Sequence, residues 1–252
     1  MKIKIKSVTS KKYLYGVFLK NKQATTLVVF LSGLSGGLEF PLLEKASKEL
    51  TRKNFSTLRL NFCRDTDDKL QRKDVLRPED MSLSVYVREL KNVLEELGGG
   101  NQRIVLVGHS FGAIISLLFL DKYKQYHKKT ELVLWDPTLL PWKKRTMEID
   151  FSFNPKSKLY YGKNTKEVMS KKFYKECINT QNTAEILKTL NKRVCIIAAE
   201  HGASKDAKKY FSKIKDRKNS KLIIIKKTGH HFAGRTAQKI LFGETLKFLD
   251  NK

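Results

Sequence analysis

The sequence is short of cysteine, of acidic residues and of long apolar runs, and each scarcity narrows what the chain can be. Its three cysteines, Cys63, Cys177 and Cys195, form no Cys-x-x-Cys pair and have no neighbouring histidine. Reduced, buried thiols are therefore expected, with no metal site. The longest apolar stretches, from Thr26 to Gly33 and around Lys221 to Ile225, fall far short of the roughly 18 to 20 residues that span a bilayer. The opening MKIKIKSVTSKKYLYGVFLK alternates apolar and basic residues where a secretory leader would carry an unbroken apolar segment. It reads as a strand, and a cytoplasmic location is expected. No internal repeat or low-complexity tract is visible.

Acids number 25 against 51 lysines and arginines, a net charge of +26. Such an excess raises nucleic acid, an anionic membrane or an acidic substrate as partners. The basic residues, however, are spread through nearly every segment, beside apolar residues, with no block or aromatic-interleaved stripe. Solvated faces are the expectation, and no specific nucleic-acid partner. The 40% hydrophobic and 10% aromatic content suits a chain that folds alone, and 252 residues suit one domain carrying an insertion.

Periodicity predicts an α/β order of elements. Lys2 to Lys6 and Tyr13 to Leu19 read as an antiparallel strand pair, and Thr25 to Leu31 as a buried strand. A glycine-rich turn, Ser32 to Gly37, leads into a helix from Glu39 to Lys53 with Leu42, Leu43, Ala46 and Leu50 on one face. Phe55 to Phe62 is the next strand. After a polar loop, Ser82 caps a helix from Leu83 to Leu97, closed by Gly98-Gly99-Gly100. Arg103 to Val107 is a strand, Ala113 to Tyr123 a helix, and Glu131 to Trp135, Val194 to Ala199 and Leu222 to Lys226 further strands before a last helix from Thr236 to Leu249. Repeated strand then helix implies a mostly parallel sheet flanked by helices. Residues 138–191 break the alternation, with two β-like pieces around Asn154-Pro155 and helical patterns from Ser170 to Asn191. They are expected to form a lid over the sheet's carboxyl edge, inserted after the sixth strand into a core of residues 1–137 and 192–252.

Gly108-His109-Ser110-Phe111-Gly112 has G-x-S-x-G spacing between a buried strand and an apolar helix. That context gives the spacing meaning. A sharp turn pushes the serine oxygen out above the sheet, and glycines at its flanks remove side chains that would collide. Ser110 is thus the candidate nucleophile. A serine hydroxyl needs a base, and Thr228-Gly229-His230-His231-Phe232 follows the last strand at the same sheet edge. His230 is the candidate base and His231 the runner-up; His109 reads as a packing and hydrogen-bonding neighbour of the turn, and His127 and His201 lack such context. For a developing oxyanion, the amides of Phe111 and Leu34 are the candidate donors. The glycine loop lacks the Lys-Ser/Thr of a phosphate-binding loop. Three carboxylates near the carboxyl edge could orient the histidine, Asp136, Glu200 and Asp206, and the residues alone leave that choice open.

From about Leu27 onward the chain resembles the α/β-hydrolase superfamily, and within it the small bacterial serine esterases and serine aminopeptidase-like hydrolases. The resemblance rests on the Leu31-Ser32-Gly33-Leu34-Ser35-Gly36 loop, the Val107 to Gly112 turn, the insertion after Trp135-Asp136-Pro137, and Gly229-His230-His231-Phe232. It implies hydrolysis of an ester or thioester of a small to medium acyl group through an acyl-serine intermediate, with no cofactor and no metal. The family pattern puts an acid where this chain has Gly202. Since relatives carry the acid after the preceding strand, the resemblance favours Asp136, with Asp206 and Glu200 as alternatives. Acyl transfer, amide or peptide cleavage, and an inactive scaffold are the competing expectations. Seven aromatic residues of the insertion, Trp142, Phe151, Phe153, Tyr160, Tyr161, Phe173 and Tyr174, are divided between an acyl pocket and a small core of their own.

Overall fold

Alternation with period two builds the first hairpin. The computed structural model describes residues 1–34, 36–62, 74–97, 103–165 and 167–250. In it β1 (Lys2–Lys6) pairs antiparallel with β2 (Tyr13–Leu19). Ile5 and Leu14 turn inward while the lysines of β1 stay exposed. β3 (Thr26–Leu31) is buried at every position, as expected of a central strand covered on both faces. There follow α1 (Pro41–Arg52), β4 (Ser56–Asn61), α2 (Leu83–Glu96), β5 (Arg103–His109), α3 (Phe111–Lys122) and β6 (Thr130–Trp135). Ser82 caps α2 by accepting from the amide of Val85 at 3.3 Å.

Between β6 and the next strand of the main sheet lie α4 (Lys144–Asp150), β7 (Phe151–Asn154), β8 (Leu159–Gly162), β9 (Val168–Ser170), α5 (Lys171–Asn179) and α6 (Ile186–Thr189). The three strands form a small antiparallel sheet of their own. The chain then completes the main sheet with β10 (Val194–His201), α7 (Ser204–Lys213), β11 (Lys221–Gly229) and α8 (Arg235–Asp250).

The main sheet has eight strands in the order β1-β2-β4-β3-β5-β6-β10-β11, parallel from β4 onward. Alternate residues feed two cores. Leu27, Val29, Ile104, Leu106, Leu132 and Leu134 pack with α2 and α3 on one face, and Val28, Phe30, Val105, Val107, Val133 and Trp135 with α1 and α8 on the other. Helices on both faces of a parallel sheet are the expected α/β architecture. Among the described residues no helix is long and apolar enough to cross a membrane.

Some local differences stand against the sequence reading. β5 continues to His109, and α3 begins at Phe111, so strand and helix are separated by Ser110 alone. The insertion also contains α4 and β9, which the pattern did not suggest. In α4 only Met147 is buried, so no apolar stripe marks the helix, and β9 is three residues long, too short to reveal a period. Ser35, the stretch 63–73 with Cys63, and the Gly98-Gly99-Gly100 run lie outside the described residues. Cys177 and Cys195 are free and buried, and burial pushes both thiols up, Cys195 to about 12, which makes them inert as nucleophiles.

Candidate active site

The register of the parallel strands brings distant residues to one edge. Leu31 lies beside Gly108, His109 beside Trp135, Trp135 beside Ile197, and His201 beside Gly229. Consequently Ser110, Asp136, Gly202 and His230, each just past its strand, leave the sheet along one side, its carboxyl edge.

Ser110 sits at φ 54 and ψ −117, a backbone region that L residues seldom occupy. Its amide donates to the Trp135 carbonyl at 2.9 Å, and Asp136, at φ 43, is fixed in the same way by donating to the Ile197 carbonyl at 2.8 Å. Phe232, in the turn after His230, is also at positive φ, 47°. Strained backbone thus clusters where the three side chains are presented. The turn needs glycine on both sides of the serine: a Cβ at Gly108 would fall 2.5 Å from the Ala113 nitrogen, and one at Gly112 2.1 Å from the Leu31 oxygen.

Asp136 is fully buried, with 0% exposure. Its Oδ1 accepts from the amides of Ala199 and Ala203 at 2.8 and 2.9 Å. Its Oδ2 accepts from Ala203 at 3.0 Å and from His230 Nδ1 at 2.5 Å. A buried carboxylate so surrounded by donors is held in one orientation. Because Nδ1 of His230 donates, Nε2 is the basic nitrogen. Gly202 gives the carboxylate its room, since a Cβ there would lie 2.2 Å from Oδ2. The glycine that stands where the family pattern has an acid is therefore filled by the side chain of Asp136. The other two carboxylates are not brought to His230. Glu200 accepts from Lys226 Nζ and the Lys227 amide, both at 2.9 Å, and Asp206 faces Lys209 in the first turn of α7.

His109, 2% exposed, donates from Nε2 to the His230 carbonyl at 3.0 Å, and the two rings lie 4.8 Å apart. Burial lowers its pKa to about 4 from 6.5, so the ring is neutral at neutral pH. An unfolded chain would bind a proton there between about pH 6.5 and 4 that the folded chain does not. Stability should therefore fall as pH drops through this window, by roughly 3 kcal/mol on this group's account. Urea midpoints measured across pH 4 to 7 are expected to fall less steeply for His109→Gln than for wild type; equal slopes would mean that the ring is not buried neutral.

Ser110 and His230 line a cavity of about 480 Å³ together with Gly33, Leu34, Phe40 and Phe111. The loop carrying Gly33 and Leu34 is pinned by Ser32 Oγ donating to the Gly36 carbonyl at 2.5 Å and the Gly36 amide donating to the Gly33 carbonyl at 3.0 Å. Gly33 abuts the serine: a Cβ there would be 3.4 Å from Ser110 Cβ. Phe111, as the first residue of α3, has an amide without an intrahelical acceptor, at the positive end of the helix dipole. The insertion supplies Trp142, Thr146, Met147, Asp150, Phe151 and Glu167 to the same cavity. Its aromatic residues divide: Trp142 lines the cavity, Phe151 both lines it and joins the core, Phe173 and Tyr174 join the core, and Tyr160 stacks on Tyr174 at 3.9 Å. His231 also lines the cavity, its ring 5.8 Å from Phe40, whereas His127 bonds the Leu120 carbonyl. The sequence reading missed Phe40, Thr138, Asp150 and Glu167 as lining residues; no local motif marks them.

An eight-stranded, mostly parallel sheet with a strand–Ser–helix turn at its carboxyl edge and a histidine after the last strand defines the α/β-hydrolase fold, and this chain has it. No protein-family model matches the chain, and no curated protein matches it. Among solved structures it is similar to Est1E from Butyrivibrio proteoclasticus with ferulic acid bound, at 15% identity and TM-score 0.75, over 98% of this chain and 97% of that one. It is similar also to the alpha/beta hydrolase GrgF from Penicillium sp. sh18, at 13% identity and TM-score 0.73, over 99% and 97% of the two chains. A thermophilic esterase from Thermogutta terrifontis with malate bound aligns at 12% identity and TM-score 0.70, over 99% and 98%.

Proposed function

We propose that the protein is a serine hydrolase that cleaves a carboxylic ester or thioester of a small to medium acyl group, with Ser110 as nucleophile, His230 as base and Asp136 as the acid that orients it. The observation that carries this reading is the His230–Asp136 hydrogen bond beside the strained Ser110 turn, on one cavity. Esterases and hydrolases among proteins of the same fold support it.

In the first half-reaction Ser110 Oγ attacks the carbonyl carbon as its proton passes to His230 Nε2. The carbonyl π electrons move to oxygen, and the amides of Leu34 and Phe111 are the donors for that oxyanion. Asp136 stabilises the imidazolium through Nδ1–H and does not itself take the proton. Collapse expels the alcohol or thiol, which leaves with the proton from Nε2. Water then attacks the acyl-serine, giving its proton to His230, and collapse returns Ser110 and releases the acid. His109 stays neutral beside the imidazolium, so no second ring charge opposes it. Residues 138–191 serve as a lid whose α4 and β7 side of the cavity helps to exclude water.

A fluorophosphonate reads the reactive serine without knowledge of the substrate. Wild type is expected to be labelled stoichiometrically and Ser110→Ala not at all; an unlabelled wild type, or label persisting in Ser110→Ala, would remove the proposal.

A further inference from the structure

The cavity wall has a charge character opposite to that of the chain. Lysine and arginine make up 51 of 252 residues, so a wall of seventeen lining residues would by composition carry about three. Among the described residues it has none, and its two formally charged side chains are Asp150 and Glu167. Asp150 ends α4, where the helix dipole disfavours a carboxylate, so helix stability does not account for its place. Glu167 is oriented by the Thr165 hydroxyl, which donates to Oε2 at 3.0 Å. Burial lowers the pKa of two of the wall histidines, His109 and His231.

Deeper in, two buried polar atoms have no hydrogen-bond partner among the described residues. His109 Nδ1 has no hydrogen-bond partner among the described residues, and because Nε2 donates to the His230 carbonyl, Nδ1 presents a lone pair. It lies on the Gly33 side, where a Cβ would be 3.6 Å away. Thr138 Oγ1, on the same cavity, is likewise buried and unpartnered. Trp142 and Phe151 add aromatic rings to the same wall.

We propose that the cavity selects substrates bearing a primary or secondary ammonium group, held at the mouth by Asp150 and Glu167 against the aromatic wall. This specificity rests on the hydrolase reading of Ser110. Lys163 stands beside Asp150, its amide donating to the Asp150 carbonyl at 2.8 Å, and its Nζ is taken up by the Glu148 carbonyl at 3.0 Å; charges beyond about 8 Å are largely screened at physiological ionic strength. Exposed carboxylates contribute modestly, so the pair together with the aromatic faces should give about a tenfold preference.

Two readouts separate the specificity from the chemistry. Binding of n-pentylammonium and of pentan-1-ol is measured by saturation-transfer NMR, with no turnover required. The kcat/KM values for p-nitrophenyl 6-aminohexanoate and p-nitrophenyl hexanoate are then taken as a ratio within each protein, so that a general loss cancels. Wild type is expected to favour the ammonium about tenfold in both, and Asp150→Asn/Glu167→Gln to bring both ratios close to one. Equal ratios in wild type, or a preference that survives both substitutions, overturn the proposal. Carboxylate-dependent binding of n-pentylammonium in a protein that hydrolyses neither ester would retain the ammonium site and overturn the hydrolase reading instead. Hydrolysis of both esters with no preference would do the reverse.

Discussion

Asp136→Asn is expected to lower kcat on an activated ester by about 10³- to 10⁴-fold with little change in thermal midpoint. The loss follows from the tautomer of His230. Asn can keep the Ala199 and Ala203 amides as donors to its Oδ1, and it tolerates the φ of 43 at this position. Its amide nitrogen would then face His230 Nδ1, turning that atom into an acceptor and placing the proton on Nε2, where it can no longer take one from Ser110. Glu200→Gln is expected to retain activity, because its carboxylate is engaged by Lys226 and Lys227. Steady-state rates with matched thermal melts check this; an active Asp136→Asn beside an inactive Glu200→Gln would move the acid to the end of β10.

Gly112→Ala should cost about 3 kcal/mol or more, although alanine is the better helix former. The added Cβ would sit 2.1 Å from the Leu31 oxygen and 2.6 Å from the Leu31 carbonyl carbon. Both atoms are backbone of the central strand and cannot swing aside, so α3 would have to withdraw from β3. Against a typical total stability of about 5 to 15 kcal/mol that is a large fraction. Gly243→Ala, in α8 with nothing within 4 Å of its Cβ, is expected to act in the opposite direction by up to about 1 kcal/mol. Urea midpoints with equal m values test the pair; a neutral Gly112→Ala would mean that the helix does not pack against the strand so closely.

Much of this arrangement is legible in the sequence. The β1–β2 hairpin has the bounds its alternation implied, and the G-x-S-x-G turn lies between strand and helix as its flanking apolar runs required. Both are local signals, written in a few consecutive residues. Which carboxylate meets the histidine was not legible in that way. Asp136, Glu200 and Asp206 all follow or neighbour strand ends, and nothing near them in sequence says which one meets a histidine 94 residues from Asp136. That depends on the placing of β10 between β6 and β11 and on the empty side of Gly202. The insertion was harder still. Short elements such as β9 leave too few residues for a period, and nothing local says that Asp150 and Glu167 line one cavity.

The central claim is that Ser110 performs nucleophilic acyl chemistry, and hydrolysis of p-nitrophenyl acyl esters of increasing chain length by wild type and Ser110→Ala tests it most directly. The account predicts measurable turnover by wild type with an optimum among short to medium chains, as a cavity of about 480 Å³ would impose, and a fall of about 10⁴-fold or more in Ser110→Ala. Turnover that survives the serine substitution, or a wild type inert on every ester, would contradict it.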